Sequence, residues 1–149
     1  MQTKVCPIIL RDFPTSPHRQ LEILLFRHPD HNIQFVKGTL EINEDPLMAS
    51  VRELWEESGL KRSVDDFHFF KDFHFPKHQH IWKVYWAQIK EQRDQWAWQT
   101  IDDQGHQFDF FWCSLNQFQT RAVEWNMDQR FRVVINELVE YFHLNINCG

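Results

Sequence analysis

Residues 38–60, Gly-Thr-Leu-Glu-Ile-Asn-Glu-Asp-Pro-Leu-Met-Ala-Ser-Val-Arg-Glu-Leu-Trp-Glu-Glu-Ser-Gly-Leu, constrain the fold more than any other stretch. The spacing predicts a loop opening on Gly38 and a short helix bounded at both ends. Asp45 is a good N-cap residue, and Pro46 suits the first helical position, where its missing N–H would be unpaired anyway. Gly59 is placed to end the helix in the left-handed conformation that side chains disfavour. Within those bounds Glu53, Glu56 and Glu57 stand at i, i+3 and i+4, so their carboxylates share one helical face.

Like charges at this spacing destabilise a helix by a few tenths of a kcal/mol per pair. Arg52 adjoins the three glutamates and can reach Glu56 one turn on, but one guanidinium leaves most of the charge uncompensated. Two readings follow. The face can be a solvated acidic surface, the commoner fate of charged runs. Alternatively it holds a hard divalent cation, which takes oxygen ligands; Mg²⁺ binds through a few carboxylates together with substrate phosphates.

The full pattern runs Gly, any five, Glu, any seven, then Arg-Glu-aliphatic-any-Glu-Glu-any-Gly-aliphatic. Gly38, Glu44, Arg52, Glu53, Leu54, Glu56, Glu57, Gly59 and Leu60 occupy it, and it resembles the sequence box of the Nudix hydrolases. With ordinary residue usage near 6% at the fixed positions, a chance match is on the order of one in ten million. The resemblance implies an α/β (α+β) fold, an α/β/α sandwich around a mixed central sheet. It also implies hydrolysis of a nucleoside diphosphate linked to another group, by attack of water on phosphorus with Mg²⁺ or Mn²⁺ as cofactor. Metal ions serve such chemistry by neutralising phosphate oxygens and lowering the pKa of bound water.

Carried onto this sequence, the resemblance makes Glu56 and Glu57 the firmest metal ligands. Glu53 is a further ligand or the base that takes the proton of water. The backbone carbonyl of Lys37, just before Gly38, is a further ligand by the same resemblance. Arg52 orients the carboxylates, and Glu44 ligates indirectly or buttresses the loop. Many members add a carboxylate from a later loop. Where dinucleoside tetraphosphate hydrolases carry Glu six residues before a Trp, this chain has His106, six before Trp112. His106 and Asp103 are therefore the candidate bases, with Asp102, Asp109 and Glu91 nearby in sequence. Arg27, Lys37, Gly38 and Lys83 are candidates to contact the phosphates, and Tyr85 or Trp82 to stack on a base. Core packing is the commoner role for any aromatic here.

Length and charge narrow the partners. At 149 residues the chain fits one domain, 1–149, with a proper core. Its net charge of −5 disfavours nucleic-acid backbone binding. A small nucleotide is the expected partner, with nucleic acid only as a 5′-end substrate. Cys6, Cys113 and Cys148 include no C-x-x-C pair and read as free thiols of a reducing cytosol. The start Met-Gln-Thr-Lys-Val-Cys-Pro lacks the apolar run of a signal peptide, and no segment approaches the roughly 18 apolar residues of a membrane span, so a cytoplasmic location is expected. His74, His78 and His80 cluster in sequence without the partners of a zinc site.

The remaining elements follow from periodicity. Strands are predicted over Lys4–Leu10 (at an edge or bulge, because of Pro7), Leu21–Arg27, Ile33–Val36, within Phe67–Phe75, over Ile81–Ile89 and over Phe108–Cys113. Residues 90–107 read as a long polar loop containing at most a small strand. A helix is predicted to start near Leu115, and a final one to run from an Asp128 cap to about Phe142, with Phe131, Val134, Ile135, Leu138 and Phe142 on one face. Substrate class stays open at this level. Lys37-Gly38 before the box and Glu44-Asp45-Pro46 within it resemble dinucleoside polyphosphate hydrolases, and a nucleoside triphosphate fits equally. Other readings are an ADP-ribose, nucleotide-sugar or RNA 5′-end pyrophosphohydrolase, or a non-catalytic nucleotide-sensing module, which is expected to lose box carboxylates.

Overall fold

The computed structural model of the chain describes residues 1–12, 20–101 and 105–147, with side chains up to residue 143. In chain order the elements are β1 (Gln2–Asp12), β2 (Leu21–Arg27), β3 (Ile33–Gln34), β4 (Gly38–Thr39), α1 (Pro46–Ser58), β5 (His68–Phe75), β6 (His80–Gln88), β7 (Gln95–Gln99), β8 (Gln107–Ser114), α2 (Phe118–Glu124) and α3 (Gln129–Asn147). The sheet runs β5-β6-β1-β2-β8-β7, with β3 joined to β2 and β4 to β1. The β1–β6 pair is parallel and the others are antiparallel, which makes the sheet mixed.

Both faces of the sheet are covered, so its central strands read as near-continuous apolar runs. Alternation divides them. Cys6, Ile8, Leu10, Ile23, Leu25, Trp82 and Val84 pack against Phe118, Phe131, Val134, Ile135 and Leu138 of α2 and α3. Ile9, Leu24, Phe26, Phe108 and Phe110 pack on the other side against Leu54 of α1. The three-layer α/β/α architecture results.

Pro7 departs from expectation. It lies in a central strand, where a missing N–H is ordinarily excluded. The second side of β1 explains the tolerance: it pairs with β4 at Lys4 and Val5 and with β2 from Leu10 to Asp12. Pro7 falls in the interval between them. Residues 95–99, a small strand at most by sequence, form a full edge strand on β8. The last helix runs five residues past Phe142, and Asp128 Oδ1 accepts from Arg130 N at 2.9 Å, as a cap would.

Candidate active site

The acid helix is fixed at both ends. At its start Asp45 accepts from Met48 N at 3.0 Å. At its end Gly59 has φ 78°, and its N–H donates to the Trp55 carbonyl at 2.9 Å. The last carbonyls of a helix lack intrahelical donors. Here two indoles supply them: Trp98 Nε1 donates to Glu56 O at 3.0 Å and Trp96 Nε1 to Ser58 O at 2.9 Å. A Cβ at Gly59 would lie 2.6 Å from the Trp98 ring, so glycine meets two demands there. Neither tryptophan was singled out as structural support by sequence, because nothing local links β7 to a helix 40 residues earlier.

Arg52 organises the acids. Its guanidinium grips Glu44 through both carboxylate oxygens, at 2.7 and 2.9 Å. It also donates to Glu53 Oε1 at 2.9 Å and Glu56 Oε2 at 3.1 Å. This bond holds the Glu44 carboxyl below its usual range, and the surrounding carboxylates push the Arg52 pKa up. Arg52 therefore orients carboxylates, with Glu44 as its buttress.

Glu53 is only 5% exposed and its carboxylate lies against Gly38. A Cβ on Gly38 would overlap Glu53 Cδ and Oε2, so the glycine of β4 is required by close approach. Glu53 and Glu57 line a cavity of about 510 Å³ together with Lys4, Lys37, Gly38 and Thr39. Glu56 does not line it.

Lys37 lines the same cavity, with Nζ 5.2 Å from the centre of the Trp82 ring. Its pKa is lowered, first by burial and then by the positive charge of Lys4; Arg130 adds to this, and Cys6 and Glu57 oppose it. His80 is likewise held below its usual range, by burial and then by Lys4, Lys37 and Arg130. Lys4 Nζ donates to Thr39 Oγ1 at 2.7 Å.

The other candidates separate. His106 packs on His28, ring centres 5.4 Å apart, and His28 lines the cavity, so His106 sits behind its rim. Asp103 lies outside the described residues. Arg27 is exposed at the end of β2 and does not line the cavity. Lys83 is turned to Asp72, with both carboxylate oxygens within 3.2 Å, and Tyr85 packs edge-on to Phe69 at 5.4 Å. Lys83 and Tyr85 share the α1 face of β6 but stand away from the cavity, because their cross-strand partners on β5 take them the other way. Lys4, on the parallel neighbour of β6, occupies the place sequence gave to Lys83.

Among the described residues no three acids or imidazoles form a ready-made metal cage. The donor set still fits a hard cation that keeps several positions for phosphate and water: carboxylates Glu53 and Glu57 line one cavity with the cations Lys4, Lys37 and Arg52. Glu53, Glu57 and the backbone at Lys37-Gly38 are the residues that would hold it.

The chain matches the NUDIX domain over residues 9–134 and belongs to that family. With its box carboxylates intact it is a hydrolase of the family. No curated protein sequence matches it. Among solved structures it is similar to an Ap4A hydrolase binary complex from C. elegans, at 16% identity and TM-score 0.63, covering 100% of both chains. It is similar to the NUDIX domain of Shewanella oneidensis NrtR complexed with ADP ribose, at 13% identity and TM-score 0.68, covering 94% of this chain and 87% of that one. A MutT/nudix family protein from Enterococcus faecalis matches at 20% identity and TM-score 0.60; the match covers 76% of this chain and only 43% of that chain. At these identities the likeness is one of fold.

Proposed function

We propose that this chain is a divalent-metal-dependent pyrophosphohydrolase that cleaves a phosphoanhydride bond in a dinucleoside polyphosphate or nucleoside triphosphate. One observation carries the reading: Glu53 and Glu57 share a single cavity with Lys4 and Lys37. Acids alone would suit a bare cation, and cations alone an anion. Together in one cavity, they suit a cation–polyphosphate pair.

The roles follow from the geometry. Glu53 and Glu57 would hold Mg²⁺ or Mn²⁺, which would supply polarisation of phosphate oxygens and a lowered pKa for the attacking water. Arg52 keeps Glu53 and Glu56 aimed. Lys4 and Lys37 draw the phosphate chain across the cavity.

A panel of dinucleoside tetraphosphate, nucleoside triphosphates, ADP-ribose, nucleotide sugars and 5′-triphosphorylated RNA, resolved by ion-exchange chromatography with Mg²⁺ or Mn²⁺, tests the reading. Polyphosphates should be cleaved with the highest kcat/KM, and chelator should stop turnover. Preference for ADP-ribose, or turnover in chelator, contradicts it.

A further inference from the structure

The cationic wall does not end at the acid cavity. A second cavity of about 310 Å³ adjoins the first across Gln34 and Lys37, and is lined further by Asn126, Asp128, Arg130 and Phe131, so the Arg130–Asp128 pair stands in its wall. Arg130 Cζ stands 5.2 Å from the Trp82 ring centre, the same distance as Lys37 Nζ, so two cations gather over one ring. Among the described residues neither Lys4 nor Lys37 forms a salt bridge. Arg130 is paired only with Asp128, at 3.0 Å, and that carboxylate also fixes the guanidinium through Nε. Among the described residues these three cations thus share one salt-bridged carboxylate, with Glu57 acting on Lys37 electrostatically but forming no salt bridge to it. A partly buried cluster in which cations are sparsely paired is costly unless an anion joins it.

The alternative occupant, a nucleobase, would want an aromatic face. The rings here do not offer one: Trp82 is 0% exposed and Phe131 5%. We therefore propose that the second cavity seats the distal phosphates of the substrate, with Lys4 and Lys37 leading the chain out of the acid cavity and Arg130 anchoring its end. The substrate class is then a chain of at least three phosphates. The proposal rests on the hydrolase reading only for which bond is cut; anion binding itself does not require turnover.

Inorganic tripolyphosphate is the probe, titrated calorimetrically in EDTA so that no cation assists. Wild-type protein should bind it, with affinity falling as salt rises. Arg130→Ala and Lys4→Gln, on separate elements, should each weaken binding by about tenfold or more, as expected for loss of a charge-assisted bond. Arg62→Ala, whose side chain pairs with Asp66 outside both cavities, should bind as wild type does. Circular dichroism checks that each variant is folded. Absence of binding by wild type, equal affinity in all three variants, or displacement of bound tripolyphosphate by adenosine overturns the proposal. Should tripolyphosphate bind while no nucleotide is cleaved, the hydrolase reading fails and the anion seat stands.

Discussion

The two walls of the cavity are built on opposite plans. On the α1 side the protein supplies its own partners: Arg52 grips Glu44, Glu53 and Glu56, and the indoles of Trp96 and Trp98 cap the helix that carries them. On the β1–α3 side Lys4, Lys37 and Arg130 are set close together with Asp128 as the one carboxylate salt-bridged to them among the described residues. The acids bonded to Arg52 are pre-oriented, whereas the cations are sparsely paired, with Asp128 on Arg130 and the electrostatic pull of Glu57 on Lys37. Preorganised charge where the reaction needs geometry, and sparsely paired charge where it needs affinity, is what a site for a metal–polyphosphate pair requires.

Substitutions on the acid wall should therefore reduce kcat, and those on the cationic wall should raise KM. The largest effect is expected for Glu57→Gln, which keeps size but removes a charged ligand. Turnover should fall by about 10²–10³-fold or more with the thermal midpoint little changed; unchanged turnover in saturating Mg²⁺ would remove Glu57 from the site. Gly38→Ala should follow, because the new methyl overlaps the Glu53 carboxylate. Misplacing that group should lower kcat by about 10²-fold with KM little altered, and steady-state kinetics will separate the two.

Trp98→Phe is a milder break. It removes the indole donor to Glu56 O while Ile101 N still donates to the same carbonyl, at 3.3 Å. The cost should be about 1 kcal/mol, a thermal shift of roughly 3 °C read by calorimetry, with turnover down by less than about tenfold. His106→Ala should change the rate least, since His106 lies behind His28; a loss comparable to that of Glu57→Gln would restore it as the base.

Acid titration sharpens the same contrast. Glu44 has its pKa lowered from 4.5 by Arg52, and Asp128 from 3.8 by Arg130. A carboxyl with a lowered folded pKa contributes stability that is complete above its unfolded value and is lost as pH falls through the folded one. Stability should thus be flat above about pH 5 from these groups and decline below it. Glu44→Gln should flatten the upper part of that decline in urea unfolding curves, and Asp128→Asn the lower part.

Much of this was legible in the sequence. Asp45-Pro46 and Gly59 bounded α1 correctly because caps are local, and the apolar runs of β2 and β6 placed the strands well. The acids were visible because helical spacing alone brings them together. Of the cationic group only Lys37 was named: Lys4 and Arg130 come from distant segments, joined to it only by the pairing of β1 and the packing of α3. Lys83 and Tyr85 were drawn in for the converse reason. Their neighbourhood on β6 was right, but cross-strand Asp72 and Phe69 turn them away, and no single-strand pattern reveals a neighbour's register. The indole clamp was hidden because β7 reads as polar loop.

Mn²⁺ binding, followed by the loss of the free-ion signal in electron paramagnetic resonance, tests directly whether Glu53 and Glu57 hold a cation. Wild-type protein should bind Mn²⁺, and Glu53→Gln and Glu57→Gln should each weaken it by about tenfold or more, while Lys83→Gln does not. Equal Mn²⁺ affinity in wild type and both glutamate variants would contradict the account.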